Sequence, residues 1–382
     1  MSNSIIFQRS IKPKIDSWLF KGKIILIYGP RQVGKTTLTK QIINEHKDTL
    51  YLNCELQSVA SLLESMNIHN IRNYIGNAKL VVFDEAQKIL RIGDILKLLI
   101  DTYPEIQYIA TGSSSFDLAN SIAEPLTGRN VKFTLFPLSI IEIAKSMNKF
   151  ETDEAIPQLL VFGNYPDIVL RPDNEKLQLL DELSSDYLFQ DVLKFEQLRK
   201  PLLLTNLLKA LALQIGQEVS VRELSNLLKV SVETIQRYLT LLEKTFVIFS
   251  LTSFSRNLRN EIAKGKKYYF YDLGIRNSLL QNFTLTANRN DIGQLWENFC
   301  LLERLKANQA ADRRVNSYFW RTYSQKEIDL IEESGGKLNT FEFKWNPRSS
   351  AKIPAVFAEA YPGSSYQIIS KNNLYEFVDS EF

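Results

Sequence analysis

The segment GPRQVGKT, residues 29–36, places two glycines, a lysine and a threonine at a spacing that suits the binding of phosphate groups. Gly29 and Gly34 let the backbone turn tightly, so that successive N–H groups point at phosphate oxygens, and the amino end of the following helix adds positive potential. Lys35 can reach the β- and γ-phosphates, and the hydroxyl of Thr36 can ligate Mg²⁺. The segment therefore predicts a phosphate loop (P-loop) that binds ATP with Mg²⁺.

A second candidate element is the apolar run Leu80–Glu85, LVVFDE, which ends in two carboxylates. At the carboxyl end of a parallel strand beside the phosphate loop, Asp84 can hold the magnesium shell and Glu85 can polarise the attacking water. An Asp–Glu pair taken alone is more often a solvated strand end. Its position after a phosphate loop favours a role in hydrolysis.

Two further segments could complete this site. The strand-like run Ile106–Ala110 leads into the hydroxyl-rich segment Thr111–Ser114, whose side chains could sense the γ-phosphate or could simply cap the next helix. Arg129 could stabilise transition-state charge, in the same chain or in a neighbouring subunit, or could be an ordinary surface arginine.

The residues predicted to bind the nucleotide and its Mg²⁺ are Gly29, Pro30, Arg31, Gln32, Val33, Gly34, Lys35, Thr36, Thr37, Asp84 and Ser113. The residues predicted to act in hydrolysis are Lys35, Glu85 and Arg129.

These side chains need a sheet and a helix to position them. The run Lys23–Tyr28 is nearly all apolar, as expected for a strand that is buried on both faces of a parallel sheet. It leads directly into the phosphate loop, and the following residues 37–46, TLTKQIINEH, have a helical pattern. Strand, loop and helix in this order are the setting that a phosphate loop requires.

A different constellation lies near the carboxyl end of the chain, where two strand-like runs flank Gly335-Gly336. Both glycines tolerate positive φ, which suits a two-residue hairpin turn. Counting outward from that turn places Leu330 opposite Phe341 on the apolar face and Asp329 opposite Glu342 on the other face. Two opposed carboxylates repel each other, whereas a divalent cation between them would make the arrangement favourable.

The pattern of Asp329, a turn and then Glu342-Phe343-Lys344 is similar to the PD-(D/E)xK nuclease superfamily. That resemblance implies that Asp329 and Glu342 bind Mg²⁺, and that Lys344 orients the attacking water or stabilises the developing charge. Glu297, in the helical run QLWENFCLLERL, would supply the further acid that such sites take from a preceding helix. The alternatives are a nuclease-like fold without cleavage activity and an ordinary charged hairpin.

Between these regions, residues 220–243 (SVRELSNLLKVSVETIQRYLTLLE) have the spacing of two short helices joined by a tight turn. Ser220 and Ser231 are expected to cap the two helices. The arrangement predicts a helix-turn-helix whose second helix would contact the bases of DNA. The apolar run Phe246–Leu251, a basic loop and the segment Lys267–Tyr271 would then form the β-wing of a winged helix.

The predicted DNA contacts of this winged helix are Gln236 and Arg237 at base edges, with Lys266 and Lys267 on phosphates. The charge of the wing supports this prediction, because residues 252–271 contain five basic residues and one acidic residue. The alternative is that the winged helix docks onto the ATPase part or onto another protein, and that its lysines are ordinary solubilising charges.

Composition limits the class of protein. The chain has 382 residues, 45% hydrophobic and 23% charged, so it can form two or three domains with buried cores. Its two cysteines, Cys54 and Cys300, argue against a disulfide framework or a zinc cluster. Neither a secretion leader nor a long apolar run is evident, so we expect a cytoplasmic protein without a membrane partner. The net charge of +3 does not indicate nucleic-acid binding, so any basic footprint must be local.

Six segments together resemble a family of bacterial and archaeal AAA-type ATPases whose carboxyl-terminal half is a domain of uncharacterised function. They are GPRQVGKT, VVFDEAQ, TGSSS, LTGR, FPLS and GNYP. The resemblance covers nearly the whole chain and implies an α/β fold: a P-loop NTPase (AAA-like) parallel sheet with a helical lid, then a winged helix, then a restriction-endonuclease-like α/β domain. The expected boundaries of these four parts are 1–136, 137–200, 201–275 and 276–382.

Three functions follow from these residues. The first is a Mg²⁺-dependent ATPase that converts ATP to ADP and phosphate and couples its nucleotide state to a carboxyl-terminal module able to bind DNA. The second is a nucleotide-gated switch that holds DNA or a protein partner with little turnover. The third is an ATP-regulated, Mg²⁺-dependent DNA nuclease. Self-association is also expected, because AAA-type ATPases often complete one subunit's site with an arginine from the next.

Overall fold

The computed structural model describes residues 6–113, 126–184, 201–255, 265–322 and 324–379. Within these ranges the chain forms two compact units. The first unit contains Gln8–Pro137 together with Lys244–Phe246, and the second contains the remainder of the chain. Ser114 of the predicted hydroxyl segment, and Arg256, Arg259, Glu261 and Lys264 of the predicted wing, lie outside the described ranges.

The first unit is built on a five-stranded parallel sheet. Its strands are β1 (Ile24–Tyr28), β2 (Thr49–Asn53), β3 (Leu80–Asp84), β4 (Gln107–Gly112) and β5 (Asn130–Thr134). The helices described in this unit are α1 (Lys12–Asp16), α2 (Lys35–Asn44), α3 (Gln57–Glu64), α4 (Ile68–Ile75) and α5 (Ile92–Thr102). The strand order is β2-β3-β4-β1-β5, so β1 lies between β4 and β5, and β4 separates it from β3.

The interior strands of this sheet are buried along their whole length. Every residue of β1, β3 and β4 is buried, and the apolar side chains of these strands form the centre of the unit's core. This burial confirms the prediction that the apolar run before the phosphate loop is a strand covered on both faces. Because all five strands are parallel, the segments that follow β1, β3 and β4 emerge at the same edge of the sheet.

The second unit is built on a seven-stranded mixed sheet. Its strands are β6 (Glu218–Val219), β7 (Ile248–Ser253), β8 (Lys266–Phe270), β9 (Asn316–Arg321), β10 (Glu327–Ser334), β11 (Lys337–Phe343) and β12 (Ser365–Ile369). The helices described in this unit are α6 (Ile140–Ser146), α7 (Lys149–Phe162), α8 (Pro166–Val169), α9 (Asp173–Glu182), α10 (Pro201–Leu213), α11 (Val221–Leu228), α12 (Val232–Lys244), α13 (Leu273–Leu279), α14 (Ile292–Ala310), α15 (Ala355–Ala360) and α16 (Leu374–Val378).

The strand order of this sheet is β12-β11-β10-β9-β7-β8-β6. One sheet therefore contains both the strands expected in the wing, β7 and β8, and the strands expected in the nuclease-like region, β9 to β12. They are joined by parallel pairing of β7 with β9, at Thr252 with Tyr318 and at Ser253 with Phe319. The boundary expected at residue 275 thus does not coincide with an edge of the sheet, and the division into four parts stays a prediction.

The hairpin of β10 and β11 has the predicted register. Leu330 is paired with Phe341 and Ser334 with Lys337, and Gly335 and Gly336 have φ angles of 56° and 76° in the turn. On its other side β10 pairs with β9, with a register shift between Ile328 and Ile331. The predicted register therefore holds from Leu330 to Ser334, whereas Ile328 and Ile331 pack in one apolar cluster, so the strict alternation of faces ends at the shift.

The two helices predicted at residues 220–243 correspond to α11 and α12. The Oγ of Ser220 accepts the N–H of Glu223 at 3.3 Å, and the Oγ of Ser231 accepts the N–H of Thr234 at 3.2 Å, so both serines cap their helices. Lys229, in the turn between them, has a φ of 53°. The helix pair agrees with the sequence, and its assignment to a winged helix stays a prediction.

Helix α14 is fixed across the seven-stranded sheet by polar contacts at two strands. The indole of Trp296, which is fully buried, donates to the carbonyl of Ile369 in β12 at 3.3 Å. The side chain of Asn298 accepts the N–H of Phe270 in β8 at 2.8 Å and donates to its carbonyl at 2.9 Å. These contacts direct Glu297, between the two anchors, toward β8.

No helix in the described part of the chain is long and apolar enough to span a membrane.

Candidate functional site

The phosphate loop connects β1 to α2, and two glycines determine its path. A Cβ on Gly29 would lie 2.1 Å from the carbonyl oxygen of Leu135, so no side chain fits there without movement of the backbone. Gly34 precedes α2 with a φ of 96°, in the left-handed region that favours glycine. The loop therefore needs glycine at both positions that the sequence singles out.

Lys35 lies inside this loop. Its side chain is only 4% exposed, and its ammonium donates hydrogen bonds to the carbonyls of Gly29 at 2.9 Å and Pro30 at 2.7 Å. The charge is thus held where the loop wraps around it, at the amino end of α2. This is the position from which a lysine can bind phosphate oxygens.

Asp84, the last residue of β3, accepts hydrogen bonds from hydroxyl groups on three other elements. Its Oδ2 accepts the hydroxyl of Thr36 at 2.7 Å and that of Tyr51, and its Oδ1 accepts the hydroxyl of Thr111 at 2.5 Å. Burial, together with the carboxylate of Asp84, raises the pKa of Tyr51 and so keeps its hydroxyl protonated as a donor. A hydroxyl and a carboxylate side by side at a phosphate loop are the donor set that suits Mg²⁺, so Thr36 and Asp84 fit this ion.

Glu85 follows at the same edge of the sheet, half-buried and with a φ of 53°. Its N–H donates to the hydroxyl of Thr111 at 3.0 Å, and its carboxylate accepts the amide of Gln87 at 2.5 Å. The same amide of Gln87 donates to the hydroxyl of Ser113 at 3.2 Å. Gln87 therefore links the predicted base, Glu85, to the predicted sensor, Ser113.

The other predicted loop residues differ in what they can offer a nucleotide. Pro30 has no N–H to donate, and its carbonyl accepts from Lys35. Val33 is buried, and its carbonyl accepts the guanidinium of Arg9 at 2.6 Å, while another nitrogen of Arg9 donates to the carbonyl of Phe136. Arg31 is half-buried, whereas Gln32 and Thr37 are exposed.

Arg129 does not lie near this site within one chain. It precedes β5, and its carbonyl accepts the N–H of Ile24 at the amino end of β1, whereas the phosphate loop follows the carboxyl end of β1. A strand of this length separates its ends by roughly 13 Å. The side chain of Arg129 instead pairs with Asp101 at 2.7 Å. The predicted role in the same chain is therefore wrong, and a role in a neighbouring subunit stays a prediction.

Three residues of the site were missed by sequence reasoning. Arg9 lies far upstream of the phosphate loop, and no sequence signal connects it to the loop. Tyr51 contacts Asp84 because β2 pairs with β3. This pairing is known only once the order of the strands in the sheet is known. Gln87 follows Glu85 by two positions. A polar side chain so close to the predicted base, within VVFDEAQ, is a sequence signal that indicates a role at the site.

A second group of charged residues lies in the other unit. We call Glu297, Glu327, Asp329 and Glu342 the carboxylate cluster. Lys267 of β8 is 1% exposed, and its ammonium contacts Glu297 at 3.2 Å and also Glu327. Burial acts to lower the pKa of Lys267, but the neighbouring carboxylates outweigh burial and raise it. Lys267 therefore stays charged inside the cluster.

The carboxylates have further partners. Glu297 also accepts the hydroxyl of Tyr269 at 2.6 Å, Asp329 accepts the N–H of Phe343 at 2.8 Å, and Glu342 pairs with Lys344 at 2.7 Å. Burial raises the pKa of Asp329 well above its usual value, and the charges of Glu297 and Glu342 add to this effect.

The positions of these side chains test the second metal site, which is predicted at Glu297, Asp329 and Glu342. Glu297, Asp329, Glu342 and Lys344 lie close enough for their charges to act on one another, while the predicted pairing of Asp329 with Glu342 stays a prediction. In the described ranges, however, no three Asp, Glu, His or Cys side chains are arranged so that they could share a metal ion. An ammonium group lies among them instead. The residues present therefore do not fit a divalent metal ion at this place.

The predicted DNA contacts are separated by the structure. Gln236 and Arg237 are exposed on α12, as a reading helix requires. Lys266 is half-buried at the start of β8. Lys267 is buried in the carboxylate cluster, so its predicted contact with DNA phosphate is wrong.

Comparison with known proteins extends these observations. Residues 21–144 match the family described as AAA domain, residues 153–286 match a domain of unknown function (DUF8612), and residues 292–381 match another (DUF4143). The AAA domain and the carboxyl-terminal domain of unknown function expected from the resemblance are thereby confirmed. The winged helix and the nuclease-like region stay predictions.

Two curated proteins and one solved structure are similar over most of the chain. "Uncharacterized protein Rv2008c" of Mycobacterium tuberculosis is 27% identical over 348 residues, which cover 90% of this chain and 75% of that protein. The Walker-type ATPase PABY2304 of Pyrococcus abyssi aligns with a TM-score of 0.51 at 17% identity, over 72% of this chain and 96% of that chain. This likeness shows the fold, and the AAA domain supports ATP binding.

"Uncharacterized protein MJ1544" of Methanocaldococcus jannaschii is 31% identical over 342 residues, which cover 84% of this chain and 74% of that protein. The chain, with an AAA domain and a carboxyl-terminal DUF4143 domain, therefore belongs to the same family as MJ1544.

Proposed function

We propose that this protein is a Mg²⁺-dependent ATPase that hydrolyses ATP to ADP and phosphate, and that its nucleotide state controls what the second unit binds. The observation that carries the proposal is the 2.7 Å hydrogen bond between Thr36 and Asp84, beside a phosphate loop that encloses Lys35. The two side chains best suited to share a magnesium ion are thus already adjacent at the place where the phosphates would bind.

Each residue of the site has a separate task in this proposal. Lys35 binds oxygens of the β- and γ-phosphates, and Thr36 and Asp84 hold Mg²⁺. When bound, Mg²⁺ neutralises charge on the phosphate groups. Glu85 accepts the proton of the attacking water, and the amide of Gln87 orients its carboxylate.

The test compares three variants of the full chain in binding and hydrolysis assays. Lys35→Ala should lose ATP binding, measured with a fluorescent nucleotide, and should also lose phosphate release. Glu85→Gln should keep binding, while phosphate release falls by about 100-fold or more because the base is lost. Lys47→Ala, which removes an exposed lysine just beyond α2, is the matched control and should behave as wild type. Wild-type rates of hydrolysis in Lys35→Ala would refute the proposal.

A wild-type protein that binds ATP but releases phosphate very slowly would favour the second function, a nucleotide-gated switch. The two functions share the binding site and differ only in turnover. Phosphate release under single-turnover conditions therefore separates them.

For the partner of the second unit we propose DNA, supported by the exposure of Gln236 and Arg237 on α12. A double variant, Gln236→Ala with Arg237→Ala, should weaken binding to a labelled duplex, with a smaller salt dependence because one cation is removed. Lys209→Ala, an exposed lysine on α10, is the control for loss of charge alone. If wild type has no affinity for DNA at low salt, with either ATP or ADP present, the partner is a protein instead.

A further inference from the structure

The starting observation is the position of Lys267 on β8. Lys267 and Tyr269 alternate along the strand and therefore point to the same face of the sheet, toward Glu297 of α14. Lys267 also contacts Glu327 of β10, and its ammonium lies 5.3 Å from the centre of the Phe319 ring. The side chain thus ends in the interior of the carboxylate cluster and not in solvent.

Buried carboxylates need a positive partner, because an isolated buried charge is strongly unfavourable. A divalent metal ion and a lysine ammonium are two ways to supply that charge. Both seek the same carboxylate oxygens, and a cation already in place repels a second one. For the carboxylates that Lys267 contacts directly, Glu297 and Glu327, the ammonium and a metal ion are therefore alternatives.

We infer that the ammonium of Lys267 is a built-in cation that takes the place of a divalent metal ion in the carboxylate cluster. The cluster is then a fixed ion network that connects β8 to α14 and β10, and it binds no Mg²⁺ of its own. This assigns a structural role to residues that the sequence pattern associates with phosphodiester cleavage.

The partners of the individual oxygens support this inference. Glu297 has one oxygen occupied by both Lys267 and Tyr269, and Glu342 has one occupied by Lys344. Asp329 directs one oxygen to the N–H of Phe343. Mg²⁺ requires a near-octahedral set of oxygen ligands, and the Glu297 oxygen that accepts from both Lys267 and Tyr269 is not open to the ion while these contacts persist.

The experiment measures Mn²⁺ binding to the full chain by titration calorimetry without nucleotide. All proteins carry Asp84→Ala, so that the nucleotide site contributes no metal binding. The parent protein should bind no stoichiometric Mn²⁺. Adding Lys267→Met, which removes the charge and retains the apolar stem, should let the carboxylates move together around an ion, and so create binding of one Mn²⁺ per chain and a metal-dependent rise in melting temperature. Asp329→Asn, added to Lys267→Met, should abolish both effects.

Two results would overturn the inference. The first is stoichiometric Mn²⁺ binding by the parent protein that is lost with Asp329→Asn, since the cluster would then be a metal site with Lys267 in place. The second is a folded Lys267→Met protein that binds no Mn²⁺, because the ammonium would then not be what excludes the ion. If Lys267→Met fails to fold in EDTA, refolding with Mn²⁺ replaces the titration: recovery supports the inference, and no recovery overturns it.

Discussion

The hydroxyl of Thr36 donates a 2.7 Å hydrogen bond to the carboxylate of Asp84, although the two residues lie on different elements, at the start of α2 and the end of β3. β4 separates β3 from β1 in the sheet, so Asp84 reaches the phosphate loop across the edge of β4. Two more hydroxyls, of Tyr51 and Thr111, hold the carboxylate in this direction. The contact between Thr36 and Asp84, the pair proposed to hold Mg²⁺, therefore depends on three strands and one helix together.

Asp84→Asn tests this geometry. The substitution keeps the shape of the side chain but removes its charge, and its amide nitrogen cannot accept the hydroxyls that Asp84 accepts. Because loss of even an indirect ligand partner typically lowers metal affinity or activity by about 10- to 100-fold, we expect loss of the proposed Mg²⁺ partner Asp84 to lower phosphate release by about 100-fold or more, with partial recovery at high Mg²⁺. Phosphate release is measured across a Mg²⁺ titration. Asp101→Asn, at the exposed pair with Arg129, is the control, and equal loss in both variants would contradict the assignment.

Arg9→Ala tests the contact between the amino-terminal segment and the phosphate loop. The guanidinium of Arg9 donates to the carbonyls of Val33 and Phe136, so it ties the loop to the segment that follows β5. We expect weaker nucleotide binding, because the loop loses this support, while hydrolysis of bound ATP changes less. Single-turnover rates and nucleotide titrations separate the two effects. A variant with lower rates but unchanged affinity would contradict a positioning role.

The parts of the fold that could be predicted from sequence depend on short-range patterns. The phosphate loop is one contiguous segment, and the pairing of Leu330 with Phe341 follows from counting outward from Gly335-Gly336. Both predictions need only local backbone geometry and a side-chain period of two. The acidic end of β3 could be placed for the same reason, because parallel strands present their carboxyl ends at one edge.

The errors arose where a residue's position depends on contacts far along the chain. Arg129 is a candidate for stabilising transition-state charge, but it precedes β5, and only residues that follow a parallel strand reach the edge with the loop, so within one chain it is a surface arginine. Lys267 belongs to a basic run, which predicts contact with DNA phosphate or a solubilising charge. Its alternation with the fully buried Tyr269 indicates the interior face, but the partner Glu297 lies on a helix that the local pattern does not connect to it.

Gly29→Ala should show how tightly the phosphate loop packs. The added methyl group meets the backbone oxygen of Leu135 at 2.1 Å, which a rotamer change cannot relieve. We expect the free energy of unfolding to fall by about 2 to 3 kcal/mol, as in overpacked cores, and nucleotide binding to be lost with it. Gly22→Ala is the matched control, since Gly22 has a φ of 65° but open space around it. That variant should lose only about 1 kcal/mol and keep nucleotide affinity. Equal losses in urea unfolding would show that steric contact is not the cause.

Glu332→Ala should strongly destabilise the second unit. Glu332 is 1% exposed, and both of its oxygens accept the guanidinium of Arg304, at 2.6 to 3.1 Å, while the amide of Asn308 donates at 2.6 Å. Removing the carboxylate leaves a largely buried arginine without this partner, so we expect a loss of about 3 to 5 kcal/mol in the free energy of unfolding. Glu333→Ala, at the next position, should change stability by less than about 0.5 kcal/mol. Urea unfolding of both variants checks the difference, and similar values would contradict the importance of the buried pair.

The pH dependence of stability should report on Asp272, the N-cap of α13. Its carboxylate is buried and accepts the N–H groups of Asn164 at 2.7 Å and Ile275 at 3.1 Å. Burial raises the pKa of Asp272 to about 6, although these two donors and the charge of Lys306 oppose the shift. The folded state therefore holds a proton that the unfolded state has already released between about pH 4 and pH 6.

Stability must then fall as pH rises through this window, because the folded state binds more protons there than the unfolded state. We expect the wild type to lose about 3 kcal/mol relative to Asp272→Asn between about pH 3 and pH 7, and almost nothing further above that range. The side chain of the variant is neutral at every pH, so its own contribution does not titrate. Urea unfolding at successive pH values measures the difference between the two proteins. Parallel stability profiles would mean that Asp272 titrates normally in the folded protein and that its burial does not govern its charge.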